Sequence, residues 1–344
     1  MVPVASARRS PFFAFFAFFG VLAVGLLAGG TASAKGPRPL WSFHAGAPLS
    51  GAPGVGADGS LAVGTLDGYV HALRSDGVFR YSYTVQGRVL GSPVVLADGL
   101  VLVASDRSRV YAIRSDGSLA WETSIAGGVQ SALALDAQER VWLRTGAGTA
   151  LALSRRGGVV GFAKLARGVT LGPAPFSRGG VLVASPEGEL RLIGDFGKST
   201  RNSIPGPLTN VWDSASGLLA FGAGTLRALS AELAVVWTQT GVEELLCATP
   251  IVARAAGEVR WLTDGGSVQA RVAAPGIVAG PSACAESSLF TVDARGGIVQ
   301  VRSNGDVIRV DGPGRALVGL APIRPGALVA AYQDGRVIAL KVVF

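Results

Sequence analysis

Residues 110–121 read VYAIRSDGSLAW, and this stretch decides the fold of the protein. An apolar segment, a Ser-Asp-Gly turn and a second segment that ends in a large aromatic residue predict two antiparallel strands. About 40 residues earlier the chain reads VHALRSDG at 70–77, and about 40 residues later LAL at 151–153 repeats the pattern. Self-similarity at this period is typical of a β-propeller or a related array.

Eight units of this kind can be traced from residue 51 to the end of the chain. Asp-Gly dipeptides at 58–59, 67–68 and 76–77 divide the first unit, and they predict type I′ hairpins because that turn needs positive φ at both central residues. Each unit therefore predicts four antiparallel strands. Middle strands such as residues 181–184 are apolar throughout, which indicates that neighbouring blades cover both faces.

The two ends of the chain complete each other in this pattern. The eighth unit lacks an outer strand, whereas residues 40–43, LWSF, form an unpaired strand pattern before the first unit. We predict an all-β, eight-bladed β-propeller of four-stranded antiparallel blades, closed by the N-terminal strand so that no sheet edge stays open. A β-helix is the alternative, but its repeats are shorter and it leaves residues 40–43 unexplained.

The N-terminal segment differs in kind from the repeats. Two arginines precede the apolar residues 12–27, and residues 31–34, TASA, have the small side chains expected before a signal peptidase site. We expect a cleaved signal peptide at 1–34, a propeller domain at 35–344, and a mature protein located in the periplasm or outside the cell. An uncleaved N-terminal anchor is the alternative, although the apolar segment is short for a membrane span.

Composition and charge narrow the partners. Of 344 residues, 49 are glycine and only 16% are charged, which suits many short strands and tight turns. The net charge is +8, but the basic residues are dispersed rather than clustered as they are in nucleic-acid-binding proteins. We expect a monomer that binds no nucleic acid and has no membrane span once the signal peptide is removed.

The two cysteines, Cys247 and Cys284, lie near the starts of adjacent units. If the units are neighbouring blades, both residues fall on inner strands. Measured from Pro250 and Pro281 as equivalent landmarks, their positions differ by about six residues, or roughly 20 Å along a strand, which is too far for a bond. We therefore expect free thiols. A disulfide remains the alternative if the two inner strands align in a different register.

The repeat (V/I)-x-A-(L/I)-x-x-x-G-x-x-x-W resembles that of the PQQ-like, or quinoprotein, β-propellers. Residues 110–121 carry the resemblance most clearly, and residues 70–77 and 337–340 carry it in part. This family includes PQQ-dependent dehydrogenases and also cofactor-free eight-bladed propellers, such as the lipoprotein scaffold of the outer-membrane β-barrel assembly machine. The resemblance implies the fold and leaves the activity open.

Quinone chemistry requires a Ca²⁺ site of carboxylates and amides, an aspartate base and an aromatic floor. The units here are minimal, whereas the resemblance implies long insertions between blades in such enzymes. The acidic residues mostly occupy positions that turn geometry explains. These turn residues are Asp58, Asp76, Asp98, Asp116, Asp264 and Asp334.

Other catalytic patterns are equally weak. The two histidines, His44 and His71, form no His-x-x-His motif, and no Gly-x-Ser-x-Gly sequence stands on a strand-to-helix turn. His71 takes the place of Tyr111 in the repeat, so we expect it to pack between blades. Trp121 marks a repeat position shared with Trp41 and Trp237, which predicts packing as well. Trp212, in the predicted loop at 208–214, is the aromatic residue that we would most readily assign to a surface site.

The sequence therefore predicts an exported, non-enzymatic binding or scaffold propeller with a protein partner in the cell envelope. We assign no catalytic, cofactor-binding or metal-binding residue and expect no cofactor. A small-molecule or glycan-binding propeller and a PQQ-dependent dehydrogenase-like enzyme are the alternatives. Carboxylates and aromatic residues clustered at the channel mouth would favour an enzyme, and a flat apolar or charged rim would favour a scaffold.

Overall fold

The structure is a computed structural model, and it describes residues 39–176, 178–194, 198–214, 217–310 and 316–342. They form eight four-stranded antiparallel sheets, arranged as the blades of a β-propeller, so the predicted fold class is confirmed. The predicted signal peptide at 1–34 lies outside the described residues. None of these described ranges contains a helix long and apolar enough to cross a bilayer.

The first half of the ring contains blades 1 to 4. Strand β1 (Pro39–His44) precedes them in the chain and belongs to the last blade. Blade 1 contains β2 (Gly54–Val55), β3 (Leu61–Gly64), β4 (Tyr69–Leu73) and β5 (Phe79–Thr84). Blade 2 contains β6 (Val89–Val95), β7 (Val101–Ser105), β8 (Arg109–Ile113) and β9 (Leu119–Ser124). Blade 3 contains β10 (Ala134–Leu135), β11 (Val141–Arg144), β12 (Thr149–Leu153) and β13 (Val159–Lys164). Blade 4 contains β14 (Leu171–Pro175), β15 (Val181–Ala184), β16 (Glu189–Ile193) and β17 (Ser199–Ser203).

The second half contains blades 5 to 8. Blade 5 contains β18 (Asn210–Ser214), β19 (Gly217–Gly222), β20 (Thr225–Leu229) and β21 (Val235–Thr240). Blade 6 contains β22 (Glu244–Ala248), β23 (Ile251–Ala255), β24 (Glu258–Leu262) and β25 (Val268–Ala273). Blade 7 contains β26 (Ala283–Ala285), β27 (Ser288–Val292), β28 (Ile298–Arg302) and β29 (Val307–Val310). Blade 8 contains β30 (Leu317–Arg324), β31 (Ala327–Tyr332), β32 (Arg336–Lys341) and β1.

Each of blades 1 to 7 is a simple antiparallel meander in which sheet order follows chain order. The first strands contact one another around the ring, as β2 does with β6, β22 with β26 and β30 with β2. They are therefore the inner strands, and the fourth strands form the outer rim. One end of the ring carries the turns after the first and third strands, and we call it the turn end. The opposite connection end carries the middle turns and the links between blades.

Burial follows from this arrangement. Every residue of five second strands is buried, which confirms that neighbouring blades cover both faces of the middle strands. These strands are β3, β7, β15, β27 and β31. Because burying each large aliphatic side chain contributes about 1.5–3 kcal/mol, the layers between blades supply most of the stability of the ring.

Strand β1 closes the ring as predicted. It pairs antiparallel with β32, with Trp41 opposite Ala339 and Phe43 opposite Val337. Phe43 also reaches the next blade, where its ring centroid lies 5.5 Å from that of His71 and 6.2 Å from that of Phe79. The strand therefore completes blade 8 and packs that blade against blade 1.

The Asp-Gly turns do not have the predicted type I′ geometry. Gly59 has a φ of +76°, but Asp58 is not among the residues with positive φ. The Gly59 amide donates to Gly56 O at 2.9 Å, and the Gly56 amide donates to Ser60 O at 2.8 Å. These bonds define a type I turn followed by a left-handed glycine, which gives the hairpin its twist with only one positive φ.

Large aromatic residues on outer strands dock onto the next blade. The Trp121 Nε1 of blade 2 donates to Arg155 O of blade 3 at 2.8 Å. A Cβ on Gly157 would lie 2.6 Å from the Trp121 ring, so only glycine leaves room for it. Trp41 and Trp237 make the same donation to Ser75 O and Asp264 O, at 3.2 and 2.7 Å. The packing role predicted for the three tryptophans is confirmed.

We predict that Gly157→Ala destabilises the protein by about 2–4 kcal/mol, because the new methyl group adds overpacking against Trp121 to the strain of a left-handed alanine. Gly148→Ala is the matched control, since Gly148 has a φ of +73° and a Cβ added there would have no atom within 4 Å. It should lose only about 1 kcal/mol. Urea unfolding of the two variants measures the difference, and equal losses would contradict the docking contact.

Candidate functional site

Backbone and small side chains form the inner wall around blades 8, 1 and 2. A Cβ on Gly54 would lie 2.3 Å from Pro93 O on the next inner strand. A Cβ on Gly319 would lie 2.3 Å from the Cβ of Ala52. Inner strands this close leave no space for a ligand between blades 8 and 1 or between blades 1 and 2 at these positions.

The inner strands carry few acidic groups. Within the described bounds of the eight inner strands, the acidic residues are Asp213 and Glu244. Glu244 pairs with Arg254 on the next strand, with Nε and Oε2 3.4 Å apart. A calcium–quinone site needs several carboxylate and amide oxygens turned toward one point, and these inner strands do not fit that requirement. The described residues also contain no group of three His, Cys, Asp or Glu side chains that could hold a metal ion.

The turn aspartates serve the turns themselves. Asp58, Asp76 and Asp98 accept the amide of the residue two positions later, at 2.9, 3.2 and 3.1 Å. Asp116 and Asp334 accept the equivalent amides at 2.9 and 3.2 Å. Hydrogen bonding to Ser60 holds the pKa of Asp58 below its ordinary value, so this carboxylate stays ionised as an acceptor. At the sixth turn, the backbone carbonyl of Asp264 accepts the hydrogen bond from Trp237 Nε1.

His71 packs between blades 8 and 1, as predicted. Its ring stacks on Tyr69 with centroids 5.9 Å apart, and burial lowers the pKa of His71, which favours the neutral ring. Nδ1 lies 3.1 Å from Ser82 Oγ, which is the contact of a nucleophile with its base. Nε2, where a triad would place a carboxylate, has no hydrogen-bond partner among the described residues. His44, at the connection end, accepts the Gly46 amide at 3.0 Å.

Cys247 and Cys284 form a disulfide with a Cα–Cα distance of 6.2 Å, so the expectation of free thiols was wrong. They join β22 and β26, the inner strands of blades 6 and 7. The two prolines used as landmarks are not equivalent, because Pro250 follows its inner strand whereas Pro281 precedes its own. The apolar pattern at 245–248 predicts that Cys247 lies on the inner strand. Aligning the two inner strands by this pattern, instead of by the prolines, removes the six-residue offset between the cysteines.

Trp212 lies on inner strand β18 and not in a loop, which corrects the predicted surface assignment. It pairs with Leu219 of the same blade and packs, half-buried, against the apolar cluster between blades 5 and 6. The polar residues around it resemble a loop in sequence, but their backbone completes a sheet. Trp142 and Trp261 are buried in the core.

The most exposed apolar side chains lie on the outer rim. On β13, Val159, Val160 and Phe162 are 56%, 48% and 69% exposed. We call residues 159–164 the blade 3 edge. A shallow groove of about 470 Å³ lies beside it between blades 2 and 3, and it is lined by Leu100, Arg114, Ala120, Trp121, Arg155 and Arg156. A contiguous exposed apolar patch with a polar border is the usual mark of an interaction surface.

Comparison with known proteins identifies the repeat. A family model described as outer membrane protein assembly factor BamB matches residues 30–160 and 93–190. The matched residues, 30–190, resemble the PQQ-like repeat of BamB. No curated protein matches the sequence of this chain.

Solved structures have the same propeller architecture. BamB from Moraxella catarrhalis is similar with a TM-score of 0.68 and 14% identity, over 89% of this chain and 99% of that one. The computationally designed Ika8 protein is similar with a TM-score of 0.71 and 17% identity, over 89% and 100%. Sqt1 from Saccharomyces cerevisiae has a TM-score of 0.66 and 11% identity, over 90% and 100%. Identities this low show a shared fold and nothing finer.

We predict that the disulfide contributes about 4 kcal/mol to the stability of the propeller, from the loop-closure entropy of its 37-residue separation. Replacing both cysteines, Cys247→Ser with Cys284→Ser, should lower the urea midpoint accordingly. A reducing agent should lower the midpoint of the wild type and leave that of the double variant unchanged. Equal midpoints for oxidised and reduced wild type would contradict the bond.

A second prediction concerns Tyr81, which occupies the docking position of blade 1. Burial raises the pKa of Tyr81 to about 12, so its phenol should ionise well above the ordinary range for tyrosine. Above pH ~10 the unfolded chain loses this proton while the folded chain keeps it, so stability should fall between about pH 10 and 12. Phenolate absorbance, followed as the pH rises, measures the ionisation of Tyr81. Tyr81→Phe should remove this late ionisation, whereas Tyr69→Phe, at an exposed phenol, should leave it in place.

Proposed function

We propose that this protein is an exported, non-enzymatic scaffold that binds a protein partner in the cell envelope, in the periplasm or outside the cell. The observation that carries the proposal is the match of residues 30–160 and 93–190 to the outer membrane protein assembly factor BamB. A propeller in this role acts as a rigid platform. It presents short turns at fixed spacing to another protein and works as a monomer.

The disulfide supports an exported location. Disulfides persist in oxidising compartments such as the bacterial periplasm and are rare in the cytosol. The bond between Cys247 and Cys284 therefore suits a chain that folds after export. The basic and apolar pattern of residues 1–34 supports the same location through a cleaved signal peptide.

The shape of the ring supports a broad contact rather than a deep one. The turns are short, and the carboxylates that could do chemistry are engaged by backbone amides. Exposed apolar groups lie instead on the outer strands. A protein partner can cover such a surface, because protein interfaces combine an apolar centre with a polar border.

Site-specific photo-crosslinking in the cells that encode the protein tests this proposal. A photoreactive residue is placed at Leu66, exposed at the connection end, at Ser115, exposed at the turn end, or at Val160, exposed on the outer rim. We expect one envelope protein to be attached reproducibly from one of these three surfaces and not from the other two. Loss of every adduct at both ends and on the rim would contradict the scaffold.

A further inference from the structure

The fourth strand of each blade has one edge that pairs with no strand of the described chain. Such edges invite pairing with other chains, and proteins normally protect them with charged or polar side chains. The register of the blades allows the same position to be compared in all eight outer strands. This position follows the docking residue, and we call it the guard position.

Seven blades have a polar residue at the guard position, and blade 3 has Phe162. Phe162 is opposite Leu151, as Glu122 is opposite Tyr111 in blade 2. The seven polar residues, from blade 8 through blades 1, 2, 4, 5, 6 and 7, are Ser42, Ser82, Glu122, Arg201, Thr238, Arg271 and Arg309. Blade 3 alone presents a large apolar side chain where the others protect the edge.

The neighbouring residues extend this exception. Blade 3 has Gly161 at the docking position, opposite Ala152, so, as in blades 4, 6 and 7, no aromatic ring on the outer strand ties it to the next blade. Val159 and Val160 precede it and are also exposed. Blade 5 provides the contrast. Its Val236 is 65% exposed, but the next residue, Trp237, docks on blade 6.

The surroundings of the blade 3 edge are basic. Arg156 lies just before the strand and Lys164 ends it, and both are exposed. Neither of them has an ion-pair partner among the described residues. Arg155 is already engaged by Asp98 and by Glu139, the latter at 2.7 Å. An apolar centre between two unpaired positive charges is complementary to an apolar segment with acidic ends.

We propose that the blade 3 edge binds an extended segment of a partner protein by strand addition, with apolar side chains in the middle of that segment and carboxylates at both ends. The inference rests on the proposed function and names the partner's chemistry. The unpaired backbone of β13 supplies the main-chain hydrogen bonds, and Phe162 with Val160 gives the apolar contact. Arg156 and Lys164 select the acidic ends.

A second copy of this chain is a poorer occupant of the same edge. Antiparallel pairing of two β13 strands would bring the basic ends of one copy to the basic surroundings of the other. Like charges placed directly opposite each other on paired strands destabilise the pair. Phe162 would be covered in such a dimer, but its flanking charges would repel.

The test uses the whole mature chain and a defined probe. The probe is a fluorescent nine-residue peptide in which Asp and Glu flank alternating Val and Thr, and its partner probe carries Lys in place of the acids. Fluorescence anisotropy should show that the acidic peptide binds at least tenfold more tightly than the basic one. Hydrogen exchange should slow at the β13 amides when the acidic peptide is present.

Two sets of variants assign the binding to the edge. Phe162→Ser installs the residue found at the guard position of blades 8 and 1, and it should weaken binding at least tenfold. Val236→Ser, an equally exposed change on blade 5, should stay within twofold of the wild type. Reversing both charges, with Arg156→Glu and Lys164→Glu, should transfer the preference to the basic peptide.

Three results would overturn the inference. They are no binding of the acidic peptide to the wild type, equal binding by Phe162→Ser, or unchanged exchange at β13. A wild-type dimer in sedimentation that Phe162→Ser abolishes would assign the edge to a second copy instead. If the peptides do not bind but crosslinking still finds an envelope partner, only the blade 3 edge is excluded as the binding site. If crosslinking alone finds no partner, the scaffold proposal is contradicted.

Discussion

The pairing of β1 with β32 is the constraint on which the rest of the ring depends. Every other blade is one continuous meander, but blade 8 takes its outer strand from the opposite end of the chain. Without β1, the apolar cluster between blades 8 and 1 would lose Trp41 and Phe43, and β32 would expose its edge. The closed ring therefore requires both termini of the propeller to fold together.

Different blades fill the space between their outer strands and the next blade with different side chains. Blade 2 pairs the small Ala112 with Trp121, whose ring fills the gap beside the next blade. Blade 6 reverses the sizes, with Trp261 on the third strand and Ala270 on the fourth. Blades 3, 4, 6 and 7 have no aromatic residue at the docking position, and among their junctions the one between blades 6 and 7 carries the disulfide at the inner strands. Local stability is thus distributed between outer docking contacts and one inner covalent bond.

The same comparison explains why blade 3 stands out. A ring built of near-identical units makes each departure from the pattern visible, and Phe162 departs at a position where other blades are polar. Phe162 is 69% exposed and contributes little to the interior, and the partner segment proposed for this edge gives it a role. Because β13 is already ordered by its pairing with β12, a partner strand would meet it with little loss of conformational entropy in this chain.

Local sequence determined the repeat, the four-stranded units and the closure by residues 40–43, because turn residues and strand alternation act over a few neighbours. The docking role of Trp121 also followed from its recurrence. The bond between Cys247 and Cys284, the geometry of the Asp-Gly turns, the strand position of Trp212 and the exposure of Phe162 were decided only by the tertiary structure. Each of them depends on the register between strands or between blades, and a shift of one residue turns a side chain to the opposite face. That register is set by packing across the whole ring, which no short stretch of sequence contains.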